Sequence, residues 1–132
     1  MTSPFASLQK YAPQVLSIVR IVVAASFFEF GLEKYFDFPG PAHIDMTPIY
    51  YIQGVIEIVG GFLLLIGAFS RVVAFILSGD MAVAYFMVYF PRSFFPGQNG
   101  GLSAMLYCFI FLYLVFAGGG AWSVDRAILK QE

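Results

Sequence analysis

Residues 49–90 read IYYIQGVIEIVGGFLLLIGAFSRVVAFILSGDMAVAYFMVYF, and the division of this stretch decides the fold. A helix of ~20 apolar residues crosses a hydrocarbon core of ~30 Å, so the stretch is about twice as long as one span needs. Its middle, Gly67-Ala68-Phe69-Ser70-Arg71, offers a glycine suited to a helix C-terminus and then Ser70 as an N-cap. Two spans, 49–69 and 71–90, follow, and the brevity of the turn makes them an antiparallel hairpin.

The same reading extends outward. Upstream lies the apolar stretch 14–36, separated from the hairpin by Phe36-Asp37-Phe38-Pro39-Gly40-Pro41, whose prolines lack an N–H, and by Pro48, placed for a first helical turn. The stretch is too long for the 7–15-residue apolar region of a signal peptide and is interrupted by Arg20, so it reads as a retained span. Downstream, Pro91 to Gly101 forms a connection in which Asn99 is placed to cap a last span, 102–117, ended by Gly118-Gly119-Gly120. Ser123-Val124-Asp125-Arg126 then begins a short surface helix. The expectation is an all-α protein of one integral membrane domain: a transmembrane four-helix bundle of antiparallel up-down topology.

Composition agrees. The 132 residues are 60% hydrophobic and 11% charged, whereas a soluble domain carries about 25% charged residues. A net charge of −1 without any basic run excludes nucleic acid as a partner. The lone Cys108 excludes an internal disulfide or a redox pair of thiols. His43, the only histidine, reads as an interfacial residue, and no metal-ligand spacing, phosphate loop or nucleophile–base constellation is present, so no metal is expected.

Lys10, Arg71, Arg126 and Lys130 fall on one side of the expected spans, against Lys34 and Arg92 on the other. The positive-inside rule makes the first side cytoplasmic, with both termini there. Tyr35, Tyr51, Tyr89, Phe94 and Phe95 gather toward the outer side and Trp122 toward the inner one, as headgroup belts require.

Four charged residues, Arg20, Glu29, Glu57 and Asp80, lie within spans, where each costs roughly 2.5–3.5 kcal/mol unless it meets a partner or water. At 1.5 Å per residue, Glu29 and Glu57 fall ~9 and ~12 Å below the outer boundary, so the two carboxyls can share a layer. Arg20 and Asp80 fall ~9 and ~13 Å from the cytoplasmic side, which makes them a candidate structural ion pair. Gln53, Glu57 and Gly61 share one helix face, with Gly60 beside it, where small residues admit a neighbouring backbone. Ala74, Ser78 and Ala82 make a second small-residue stripe. Arg20 and Glu29, nine residues apart, point in roughly opposite directions, so either the helix is irregular between them or one of them points into a second chain, as in a homo-oligomer.

In order along the chain, Arg20, Phe30-Gly31-Leu32-Glu33-Lys34, Glu57-Ile58-Val59-Gly60-Gly61, Arg71, Asn99-Gly100-Gly101 and Trp122-Ser123-Val124-Asp125 resemble the DoxX family of small integral membrane proteins. Two positions depart from its pattern. Glu29-Phe30 stand where a histidine is common, and Leu102 where an acid often follows Asn-Gly-Gly.

The resemblance implies a four-helix membrane bundle in the bacterial inner membrane. Some family members are membrane subunits of quinone-linked sulfur or thiol oxidoreductases. This chain holds no electron carrier and no cysteine pair, so the expected role is an accessory subunit that links a redox partner protein to the quinone pool. Glu29 and Glu57 would then donate protons or hydrogen bonds to a bound quinone, Arg20, Lys34 and Gln53 would place polar groups, and Tyr85 or Tyr107 would line the cavity. Two other classes use the same residues. One is a non-catalytic assembly factor or scaffold, in which the charges serve helix recognition; the other is a proton-coupled small-molecule carrier, for which four helices would have to oligomerise.

Overall fold

The computed structural model describes residues 4–36 and 48–128, and every regular element among them is helical. The expectations for Pro39, Pro41, His43 and Lys130 lie outside the described residues. After a single turn, α1 (Ala6–Gln9), comes α2 (Ala12–Phe36), then α3 (Pro48–Ile66), which opens on its proline. The next helix, α4 (Ser70–Ala84), runs on through a π turn at Tyr85–Tyr89. The single turns α5 (Pro96–Asn99) and α7 (Val124–Ala127) flank α6 (Leu102–Ala117). Two segments, Ala12–Phe36 and Ser70–Tyr89, are long and apolar enough to cross a membrane, while Tyr51–Ile66 and Leu102–Ala117 are apolar but shorter.

The break between α3 and α4 is a turn, but its cap is not the one the local sequence suggests. Gly67, at φ 77°, ends α3: its N–H bonds the Leu64 carbonyl and the Ala68 N–H bonds that of Leu63, the paired pattern of a Schellman end. Phe69 then adopts a left-handed conformation (φ 53°), which draws Ser70 into the helix as its first residue. Ser70 is therefore not the cap, and its hydroxyl is buried without a partner among the described residues. The carboxylate of Asp125 takes the place, accepting the N–H groups of Phe69 (2.5 Å) and Ser70 (2.7 Å). Asn99 likewise caps no helix side-on. It is buried, accepts the Gly101 N–H at 2.7 Å and donates to Tyr85 and to the Ser93 carbonyl, so that it holds the turn ahead of α6.

Packing pairs α2 with α3 and α4 with α6, and the α3–α4 hairpin joins the pairs. Glycine permits the first pairing. A Cβ on Gly61 would stand 3.0 Å from the Phe28 Cα, and one on Gly31 3.0 Å from the Gly54 carbonyl oxygen. On α4, Ala74 is fully buried and Ser78 donates to the Cys108 carbonyl at 2.8 Å, so the small-residue stripe meets α6. Phe27 of α2 meets Phe111 and Tyr107 of α6, with ring centroids 5.1 and 5.9 Å apart. Around this interior, Val15, Ile18, Val22, Ile52, Val72, Phe75, Phe109 and Phe116 stand exposed. An apolar surface so extensive suits lipid rather than water.

Candidate functional site

Two polar clusters occupy opposite ends of α2. At its N-terminal end Arg20, 1% exposed, donates to the carbonyls of Gly119, Trp122 (2.8 Å) and Leu65 (3.3 Å). Ser17 supports the same strap by donating to the Gly119 carbonyl at 3.1 Å and accepting the Trp122 N–H at 2.9 Å. Asp125, bonded to the α4 N-terminus, is the charged group that acts electrostatically on Arg20. Arg20 and Asp80, expected as an ion pair, are not brought together. Nη1 and Nη2 of the guanidinium tie the segment after α6 to α2 and to the end of α3, while Nε is buried without a hydrogen-bond partner among the described residues.

The second cluster lies toward the C-terminal end of α2. Lys34 bonds Glu57 of α3 in an ion pair whose side chains are 9% and 1% exposed, and Lys34 Nζ also donates to Gln53 Oε1 at 3.3 Å. Gln53 turns its amide nitrogen to Asp80 Oδ1 of α4, also at 3.3 Å. A single amide thus connects the Lys34–Glu57 pair with Asp80. One oxygen on each carboxylate, Glu57 Oε2 and Asp80 Oδ2, is buried without a hydrogen-bond partner among the described residues. Both acids retain acceptor capacity.

Lys34, Glu57 and Gln53 line a cavity of about 240 Å³, whose remaining wall includes Phe30, Tyr89 and Tyr107. Among the residues singled out in the sequence, the structure therefore gathers Lys34, Gln53, Glu57 and Tyr107. It leaves out Arg20, at the far end of the helix, and Glu29, which is exposed. Glu29 and Glu57 share no cavity wall. Tyr85 is turned to Asn99, and the π turn presents Tyr89 to the cavity instead. Glu33, beside Lys34 at the outer end of the first span, and Ser103, which nothing in the sequence marks, join the lining. Asp125 had a legible signal: of the acids, only it and Glu132 follow the last span, on the expected cytoplasmic side to which Arg20 lies nearer. Among the described residues no group of His, Cys, Asp and Glu is arranged to hold a metal ion.

The arrangement offers a cationic donor, an unpartnered carboxylate oxygen and aromatic walls in one partly enclosed space. It can hold a small, flat, polar group that both accepts and donates hydrogen bonds.

An uncharacterized protein of Haemophilus influenzae is 44% identical over 95% of this chain and 98% of its own length. A second protein of that organism is 29% identical over 87% of this chain and 83% of its own. An uncharacterized membrane protein of Mycobacterium tuberculosis is 30% identical over 94% of this chain and 87% of its own. No solved structure matches the chain significantly. The DoxX family profile matches residues 15–90, which carry Arg20, Lys34, Gln53, Glu57 and Asp80, and the chain belongs to the DoxX family of membrane proteins.

Proposed function

We propose that this protein is a four-helix membrane bundle of the bacterial inner membrane, with both termini cytoplasmic, and that it serves as an accessory subunit through which a redox partner reaches the quinone pool. One observation carries the reading: the buried Lys34–Glu57 pair forms the polar end of an aromatic-walled cavity and keeps Glu57 Oε2 unpartnered. A quinone headgroup presents two carbonyl acceptors on a flat ring. The Lys34 ammonium donates to one of them in exchange for its long contact with Gln53, and Phe30 and Tyr107 flank the ring. In the reduced headgroup a hydroxyl donates to Glu57. At about 240 Å³ the cavity suits the headgroup alone, so the isoprenoid tail leaves between helices into lipid. Electrons come from the partner, because this chain's own residues supply binding and orientation only.

The test is equilibrium binding of a short-chain ubiquinone to the purified protein. Saturable binding is expected, weakened about tenfold or more in Lys34→Met, as loss of a hydrogen bond to a charged group of roughly 1.5–3 kcal/mol requires. Absence of saturable binding to the wild type overturns the reading.

A second reading, the assembly factor or scaffold, draws on Glu29, whose exposure suits contact with another chain. Co-purification of a stable partner that is lost in Glu29→Leu, without any quinone binding, favours it.

A further inference from the structure

The side of the bundle between α3 and α4 holds a second concavity, of about 310 Å³, which the quinone reading does not use. Its rim is apolar and exposed: Ile52 is 63% exposed, Val83 53% and Met87 59%. Its polar floor is Gln53 and Asp80. Asp80 stands ten residues after Ser70 in a helical run that ends at Tyr89, so it lies ~15 Å along the axis, near the middle of a span. A carboxylate at that depth is costly unless it meets a partner.

The partners within reach do not balance it. Among the described residues Gln53 supplies one neutral hydrogen bond to Oδ1, and none reaches Oδ2. The nearby ammonium of Lys34 is in an ion pair with Glu57 and also bonded to Gln53. Among the described residues Glu57 and Asp80 thus set two carboxylates against one lysine across the Gln53 amide, and Glu33 adds a third acid to the other cavity. An occupant that complements the groove must bring positive charge, an N–H donor and an apolar body.

We propose that the α3–α4 groove is a lateral binding site for a lipophilic primary ammonium, with Asp80 as its counter-ion. The ammonium donates to Asp80, the apolar body lies against Ile52, Val83 and Met87, and the ligand enters from the bilayer without crossing the Lys34–Glu57 cavity. The groove is at the low end of the roughly 300–1,000 Å³ that small-molecule sites occupy, which fits one aryl or short alkyl group beside the charge. The proposal does not depend on quinone binding.

Radiolabelled 2-phenylethylamine is the probe, with the full chain in nanodiscs. Saturable binding of one amine per chain is expected. Asp80→Asn weakens it about tenfold or more, the equivalent of 1.4 kcal/mol. The uncharged isostere 2-phenylethanol competes about tenfold more weakly at the wild-type protein, a comparison that needs no folded variant. Repeating the measurement in phosphatidylethanolamine and in phosphatidylcholine discs separates the sources of the ammonium. Weaker binding in the former assigns the site to a lipid headgroup, and equal binding assigns it to a free amine. Non-saturable binding, equal affinity in Asp80→Asn, or equal competition by the alcohol overturns the proposal.

Discussion

Lys34 and Glu57 are each nine-tenths or more shielded, and the ion pair between them shows how a bilayer-embedded chain tolerates charge. Removing one member of such a pair leaves the other buried and uncompensated, at a cost of roughly 3–5 kcal/mol. Lys34→Met and Glu57→Leu are each expected to lower stability by about that amount, and the double variant by less than the sum, because neither charge then remains; a double-mutant cycle on unfolding in detergent measures the difference. Additive losses would show that the pair is not coupled. Asp125 behaves differently, since it accepts two backbone N–H groups. Asp125→Ala orphans both and is expected to cost about 1–3 kcal/mol for each donor left buried, whereas Asp125→Asn, which keeps one acceptor, costs less; thermal denaturation of the two variants distinguishes them. Ser70 pointed to a cap at the right place but of the wrong origin. Local spacing favours the nearest hydroxyl, and only the left-handed Phe69 and the folded-back C-terminal segment bring the carboxylate there.

At the scale of elements, the contact between α2 and α3 depends on missing side chains. Gly61 faces the Phe28 backbone, so Gly61→Ala must push the helices apart and is expected to cost about 1–3 kcal/mol. Gly79, in contrast, meets nothing within 4 Å, and Gly79→Ala is expected to be neutral or to stabilise by up to about 1 kcal/mol through helix propensity. Parallel melting curves of the two variants check the contrast, and equal effects would deny the close approach. The angular arithmetic within one helix was dependable: Arg20 and Glu29, half a turn apart, face inward and outward respectively. It failed across elements. Equal depth made Arg20 and Asp80 look like partners, yet depth says nothing of which helix faces which, and the C-terminal strap supplies the acceptors that Arg20 uses. The π turn at Tyr85–Tyr89 is a similar case, because its wider winding exchanges Tyr85 for Tyr89 at the cavity and leaves no mark on residue spacing.

For the whole molecule, the proposed orientation has a direct test. In a Cys108→Ser background, Lys10→Cys and Arg126→Cys should resist a membrane-impermeant maleimide on spheroplasts, while Gln98→Cys reacts; the reverse pattern would invert the topology. Apolar run length and the punctuation of glycine and proline determined, by themselves, that the chain is helical and belongs in a membrane, because those properties act within a few residues along the chain. Motif order was sufficient for the family. Tertiary structure alone decided the pairing of charges: Lys34 with Glu57, Gln53 with Asp80, and Arg20 with the carbonyls of a segment about a hundred residues away. The physical reason is that a buried charge is satisfied by whatever donor or acceptor the packing brings within hydrogen-bond distance, and that choice is made in three dimensions rather than along the sequence.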